Sequence, residues 1–227
     1  MSAASEHRFL ATTSSGEVSS LLLRPSDARA LFVFAHGAGA GMRHAFMEAV
    51  AERLAQRRVA TFRFQFPYME VGRRGPNPAP VLMKTVRSAV AEAARLAPEL
   101  PLVAGGKSMG GRMTSSAAAK EALPGVRGLA FFGFPLHAPG KKSAERGAHL
   151  ADVGLPVLFL QGTRDKLADL TLLEPLLADV TPGPTLHVVG DADHGFHVPK
   201  RSGRTDEEVL DELCDVFAEW LERVLSA

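Results

Sequence analysis

A chain of 227 residues, 46% hydrophobic and 22% charged, has the length and apolar content for one α/β domain with a sizeable core. Its formal net charge of +1 carries no bias toward nucleic acid or other polyanions, and its one cysteine, Cys214, excludes an intrachain disulfide and suits a reducing cytoplasm. Met1 to Leu10 lacks the basic start and apolar stretch of a secretory signal, and no apolar run reaches the length of a membrane span. The expectation is a soluble cytoplasmic protein forming a single domain over 1–227.

In chain order, His7–Thr12 and Val18–Leu23 read as two strands around Ser14-Ser15-Gly16, and Arg24-Pro25-Ser26-Asp27 as a turn. Ala30–Ala35 is a continuous apolar run without alternation, the pattern of a central parallel strand covered on both faces. It ends in His36-Gly37-Ala38-Gly39-Ala40-Gly41. A helix is predicted over His44–Arg58, with Phe46, Val50 and Leu54 as its apolar stripe, then a strand over Val59–Phe66. Val81–Leu96 is a helix stopped by Pro98, Leu102–Gly105 a strand, and Met109–Leu123 a helix closed by Pro124-Gly125. Strands follow at Val126–Gly133 and Pro156–Gln161, a helix near Leu167–Asp179, and a last strand at Thr185–Val189. The closing helix opens on a capping box, Thr205-x-x-Glu208, and repeats Val209, Leu213, Val216-Phe217, Trp220 and Val224 at three and four residues. Cys214 and Trp220 lie on it as packing residues. Strands alternating with helices imply a mostly parallel sheet with helices on both faces, and in such sheets ligands bind beyond the carboxyl ends of the strands.

Chemically suggestive residues do stand just after the predicted strands. Gly106-Lys107-Ser108-Met109-Gly110 fits G-x-S-x-G, in which a strand turns sharply into a helix with the serine at the apex. Strain at the apex projects Oγ, and the residues two before and two after approach too closely for large side chains, a need that Gly106 and Gly110 meet. Gly106-Lys107-Ser108 is also the tail of a P-loop. That motif wants a glycine where Pro101 stands, and its would-be phosphate loop, Leu102-Val103-Ala104, reads as strand.

The small residues of His36-Gly37-Ala38-Gly39 let backbone N–H groups face a ligand, which is how an oxyanion hole is built. Gly37-x-Gly39 after a strand also begins a dinucleotide fingerprint, but Met42 stands where its third glycine belongs and Gln65-Phe66 where an acid is needed. His36 fits a structural histidine bonded to its own loop better than a catalytic one. A carboxylate at Asp165 can orient a histidine from a later loop, and it also fits a helix N-cap before Lys166-Leu167. Asp169, inside the following helix pattern, is the weaker candidate. His194, followed by Gly195 just before the final helix, suits a general base reaching back to the serine, with His197 the alternate. Asp191, Asp193, His194 and His197 also have metal-ligand chemistry, but no H-E-x-x-H or comparable helical pair supports it, and neither metal nor cofactor is expected. Order carries the argument: Ser108, Asp165 and His194 each follow a separate predicted strand, in the sequence Ser…Asp…His.

With these residues the chain resembles the small α/β-hydrolases of the KANL3/Tex30-like group, related to dienelactone hydrolases. The matching segments are His36-Gly37-Ala38-Gly39-Ala40-Gly41-Met42, Arg63-Phe64-Gln65-Phe66-Pro67-Tyr68, Gly105-Gly106-Lys107-Ser108-Met109-Gly110-Gly111-Arg112, Gly162-Thr163-Arg164-Asp165 and Asp193-His194-Gly195-Phe196. The first and third are fairly specific to the group, and Lys166-Leu167-Ala168 departs from the Pro-containing turn of relatives. The resemblance implies an α/β-hydrolase fold with a mostly parallel sheet of about six to eight strands, with Ser108 as nucleophile, His194 as base and Asp165 as acid. The oxyanion donors would be the backbone N–H groups of Met109 and Ala38. About twenty residues separate the strands ending near Gly133 and starting near Pro156, too few for a large lid by ordinary connection lengths. An open site for a small acyl substrate is therefore expected, lined by Gly37, Gly39, Tyr68 and Phe196. Arg73-Arg74 nearby fit either an anionic substrate or solvated surface charge. The opposing class is a catalytically silent scaffold or interaction protein on the same fold.

Overall fold

Leu31 and Val33 face one side of their strand and Phe32 and Phe34 the other, and all four are at most 1% exposed, as a strand sandwiched between two helical layers requires. In the computed structural model, which describes residues 3–226, that strand lies inside an eight-stranded sheet. The first two residues and the last one of the expected 1–227 unit lie outside the described residues. The strands are β1 (Ser5–Thr12), β2 (Gly16–Leu23), β3 (Ala30–Ala35), β4 (Val59–Phe64), β5 (Leu102–Lys107), β6 (Val126–Phe132), β7 (Val157–Gly162) and β8 (Thr185–Val189), in spatial order β1-β2-β4-β3-β5-β6-β7-β8. The short turn into Gly16 makes β1 and β2 an antiparallel hairpin, and β2 joins β4 antiparallel. From β4 to β8 all pairs are parallel, each return made by a crossover connection.

The helices are α1 (Ala45–Gln56), α2 (Pro67–Glu70), α3 (Ala79–Leu96), α4 (Met109–Lys120), α5 (Leu170–Leu177) and α6 (Asp206–Ser226). Buried residues of α1 and α6, among them Val50, Leu54, Leu213, Phe217 and Trp220, pack on the sheet face that carries Phe32, Phe34 and Phe132. Those of α3, α4 and α5 pack on the face that carries Leu31, Val33, Phe131 and Phe159. Each such side chain contributes about 1.5–3 kcal/mol by leaving water. The capping box is made in both directions, with Glu208 N–H donating to Thr205 Oγ1 at 3.2 Å and Thr205 N–H to Glu208 Oε2 at 2.7 Å. Cys214 is buried on α6, and burial pushes its thiol up to about 12, consistent with packing rather than chemistry.

After β3 the chain passes to β4 on one side, then returns to β5 on the other. The strand order therefore reverses between β3 and β5, and the loops leaving these two strands open side by side at the carboxyl edge of the sheet. Only a 3₁₀ turn, Glu145–Asp152, interrupts the connection from β6 to β7, so there is no lid domain among the described residues.

Most element ends differ from the sequence expectation by one to three residues, and three of the differences bear on the site. β4 ends at Phe64 rather than Phe66, because the Phe66 N–H donates to His36 Nε2 instead of a neighbouring strand and Pro67 starts α2. α5 begins at Leu170 because Asp169, in extended conformation, caps it by accepting from Thr171 N–H at 3.0 Å. β5 runs on to Lys107, so the strand delivers its chain directly to Ser108.

Candidate active site

Ser108 sits between β5 and α4 with φ 52° and ψ −119°. A left-handed φ at a serine costs about 1–3 kcal/mol and persists only where surrounding structure enforces it. The enforcement is visible. A Cβ on Gly106 would lie 2.4 Å from Ala35 O and 2.7 Å from the Gly110 carbonyl carbon, and one on Gly110 would lie 2.3 Å from Ala35 O. The turn is thus wedged against the end of β3, while Ser108 N–H donates to Phe132 O of β6 at 3.1 Å.

Two loops bring polar side chains to this apex. His194 Nε2 is 2.8 Å from Ser108 Oγ, and His194 Nδ1 is 2.7 Å from Asp165 Oδ2. The Asp165 side chain is only 1% exposed and its oxygens are fully engaged. Oδ1 accepts from Leu167 N–H at 2.7 Å, and Oδ2 accepts from Gln161 Nε2 at 2.5 Å as well as from the imidazole. Asp165 therefore binds the histidine, whereas the expected helix N-cap before Lys166-Leu167 is not made: no helix starts there, and Oδ1 instead closes a local turn on Leu167 N–H. A carboxylate accepts only, so it fixes the imidazole tautomer with the proton on Nδ1 and leaves Nε2 to accept from the serine hydroxyl. The alternates stand elsewhere. Asp169 caps α5 and pairs with Lys142, bonds that hold its carboxyl down at about 2. His197 is exposed and pairs with Asp206 at 2.8 Å, which raises its pKa. Asp193 Oδ1 accepts from the N–H groups of Gly195 and His197, shaping the loop. Among the described residues no three His, Cys, Asp or Glu side chains group to hold an ion.

The loop after β3 passes beside the nucleophile: a Cβ on Gly37 would lie 3.7 Å from Ser108 Cβ, and Ala38 and Gly39 are exposed at its tip. His36 is buried beneath it. Its Nδ1–H donates to Gly37 O at 2.7 Å and its Nε2 accepts from Phe66 N–H at 3.1 Å. Burial lowers its pKa to about 4, so it is a neutral structural bridge between the ends of β3 and β4. Met42 N–H donates to Gln65 Oε1 at 2.9 Å and Gly39 N–H to Tyr68 Oη at 3.0 Å, fixing the loop from the side.

Two expected substrate contacts need correction. Tyr68 is 1% exposed, and its hydroxyl is already engaged by Gly39, so it supports the loop from behind. Phe196 is 2% exposed and stacks on Phe46 at 6.0 Å between ring centres, an apolar side chain drawn into the core. Arg73 and Arg74 are exposed. Sequence reasoning missed Gln161, whose Oε1 accepts from Phe134 N–H at 3.0 Å while its amide holds Asp165. One amide at the end of an otherwise apolar strand was the available signal.

The alpha/beta hydrolase domain family matches residues 28–222. Among solved structures, a dienelactone hydrolase from Anabaena variabilis is similar at 20% identity and a TM-score of 0.76, covering 98% of this chain and 99% of that one. A serine hydrolase without a lid from Xanthomonas campestris is similar at 18% identity and a TM-score of 0.74, covering 98% and 95%. The esterase domain of a Rhodothermus marinus protein is similar at 15% identity and a TM-score of 0.74, covering 98% and 99%. At these identities the likeness speaks for the fold. No helix of the described residues is long and apolar enough to cross a membrane. With an eight-stranded, mostly parallel sheet, no lid domain among the described residues and a family match over most of its length, the chain belongs to the alpha/beta hydrolase domain family.

Proposed function

We propose that the protein is a cytoplasmic serine hydrolase of the KANL3/Tex30-like kind, one domain cleaving ester-like acyl bonds through an acyl-enzyme. The observation that carries this is the continuous chain of hydrogen bonds from Ser108 Oγ through His194 to Asp165. His194 Nε2 takes the hydroxyl proton as Ser108 Oγ attacks the carbonyl, and Asp165 stabilises the imidazolium that forms. The oxyanion is held by the N–H of Met109, at the positive end of the α4 dipole, together with that of Ala38 across the cleft. Losing one such donor costs about 3 kcal/mol in the barrier. His194 then gives its proton to the leaving group, and water, activated by the same imidazole, releases the acid. Gly37 and Gly39 flank the acyl group with backbone alone, and the absence of a lid among the described residues suits small or surface-presented acyl groups.

The test is a fluorophosphonate label on the folded chain, with a panel of p-nitrophenyl esters, thioesters and lactones. Label on Ser108 and turnover abolished by Ser108→Ala are expected. No label and no turnover, with the biological effect kept by Ser108→Ala, would make the chain a silent scaffold.

A further inference from the structure

Lys107, next to the nucleophile, has no part in the acyl-transfer scheme. It ends β5 on the face shared with Val103, packed toward α1 and the loop after β8. Its Nζ donates to the backbone carbonyl of His194 at 2.5 Å and stands 5.5 Å from the ring centre of Phe46 and 5.2 Å from that of Phe196. Gly133, with φ 70°, makes the space: a Cβ there would lie 2.9 Å from Nζ, 3.3 Å from His194 O and 3.4 Å from His194 Cε1. Among the described residues Lys107 makes no salt bridge. The charges that act on it are the Asp165 and Asp193 carboxylates, and α1 presents it with the ring of Phe46.

Even half-buried, a cation without a paired carboxylate is costly, and an aliphatic side chain would fill the same space at less cost. Its one hydrogen bond, however, goes to the residue whose position matters most. The loop that carries His194 includes left-handed backbone at Asp191 (φ 59°) and Phe196 (φ 66°), so it needs anchors from outside. Asp191 N–H is held by Thr163 Oγ1 at 2.8 Å, and Arg164 N–H donates to Ala192 O at 2.9 Å. Both lie upstream of the histidine, and downstream Val198 N–H is held by Asp206 Oδ1 at 2.9 Å; neither set of bonds reaches the His194 carbonyl itself.

We propose that Lys107 is a positioning residue: its ammonium ties the His194 carbonyl to the strand end that carries Ser108, so one rigid element sets both partners of the Oγ–Nε2 bond. Its kinetic consequence rests on the acyl-transfer scheme; its structural consequence does not. Because burial brings the amine down to about 8, the charge that strengthens the carbonyl bond and the ring contacts is present below that pH and lost above it.

The experiment uses the full chain with Lys107→Met, which keeps bulk without a donor, and Lys107→Arg, which keeps the cation. Amide hydrogen exchange over residues 191–197 is expected to quicken about tenfold in Lys107→Met and to recover in part in Lys107→Arg. On p-nitrophenyl acetate, kcat of Lys107→Met should fall by about ten- to a hundredfold with KM within about twofold, since misplacing a base by a fraction of an ångström is felt in the chemical step. Wild type should lose kcat above about pH 8, and Lys107→Met should lack that limb. Unchanged exchange in a folded Lys107→Met chain overturns the proposal. Loosened exchange in a wild-type chain that hydrolyses nothing upholds the positioning role and removes the acyl-transfer scheme. Should Lys107→Met not fold, Gly133→Ala crowds the same amine, and unchanged loop exchange there overturns the proposal equally.

Discussion

Asparagine at position 165 would keep the shape of the carboxylate and remove one of its two acceptors. Three donors converge there: Leu167 N–H on Oδ1, with His194 Nδ1–H and Gln161 Nε2–H on Oδ2. If the new amide nitrogen faces Leu167, two donors confront each other in a buried site. If it faces His194, Gln161 must flip, and its amide nitrogen then meets Phe134 N–H, which now donates to Gln161 Oε1. Either orientation leaves one buried donor unsatisfied, so Asp165→Asn should lose about 1–3 kcal/mol. For a chain of this size that is about 2–12 °C in Tm. Activity distinguishes the two orientations. The first keeps the imidazole tautomer and loses only the charge that supports the imidazolium, about tenfold in kcat. The second turns Nε2 into a donor facing Ser108 and costs up to about 10⁴-fold. Thermal unfolding and p-nitrophenyl acetate hydrolysis measure both. A variant that melts within about 1 °C of wild type and turns over within about threefold would refute the account of Asp165.

Tyr68→Phe removes the acceptor for Gly39 N–H, worth about 0.5–1.5 kcal/mol, and should lower kcat/KM about three- to tenfold by loosening the loop that carries Ala38. An unchanged kcat/KM would return Tyr68 to simple packing. Gly110→Ala places a methyl 2.3 Å from Ala35 O, a clash with backbone that no rotamer relieves. A loss of about 3 kcal/mol or more in urea unfolding is expected, and a variant as stable as wild type would contradict the close approach. His36, held at about 4 when folded and near 6.5 when unfolded, takes its proton first in the unfolded chain. Its contribution is therefore whole above about pH 6.5 and is lost as pH falls toward 4, about 2–3 kcal/mol at pH 4.5. His36→Gln should lose that much less than wild type between pH 7 and 4.5, and equal losses would refute a neutral buried imidazole.

The unbroken apolar run of β3, the glycines around Ser108 and the capping box of α6 were legible because each answers a requirement met within a few residues. The roles of Tyr68, Phe196 and Gln161 were not, nor was the reach of Lys107 to the His194 carbonyl. Nothing near Tyr68 in the chain shows that its hydroxyl lies under Gly39, 29 positions away. Phe196 follows a candidate base in a loop, and locally that suits a substrate wall as well as a core aromatic. The early end of β4 depended on His36 taking the Phe66 N–H from 30 positions away.

By itself the sequence determined that strands alternate with helices, that a serine stands on a sharp turn between glycines, and that an acid and a histidine follow it after later strands. Periodicity and steric crowding are local, so residue types alone express them. Only the tertiary structure shows that Asp165 rather than Asp169 bonds to His194, and that His194 rather than His197 reaches Ser108, because those bonds span 86 positions from Ser108 to His194 and 29 from Asp165 to His194. Over such separations the sheet's strand order, and not the spacing in the chain, sets which side chains meet.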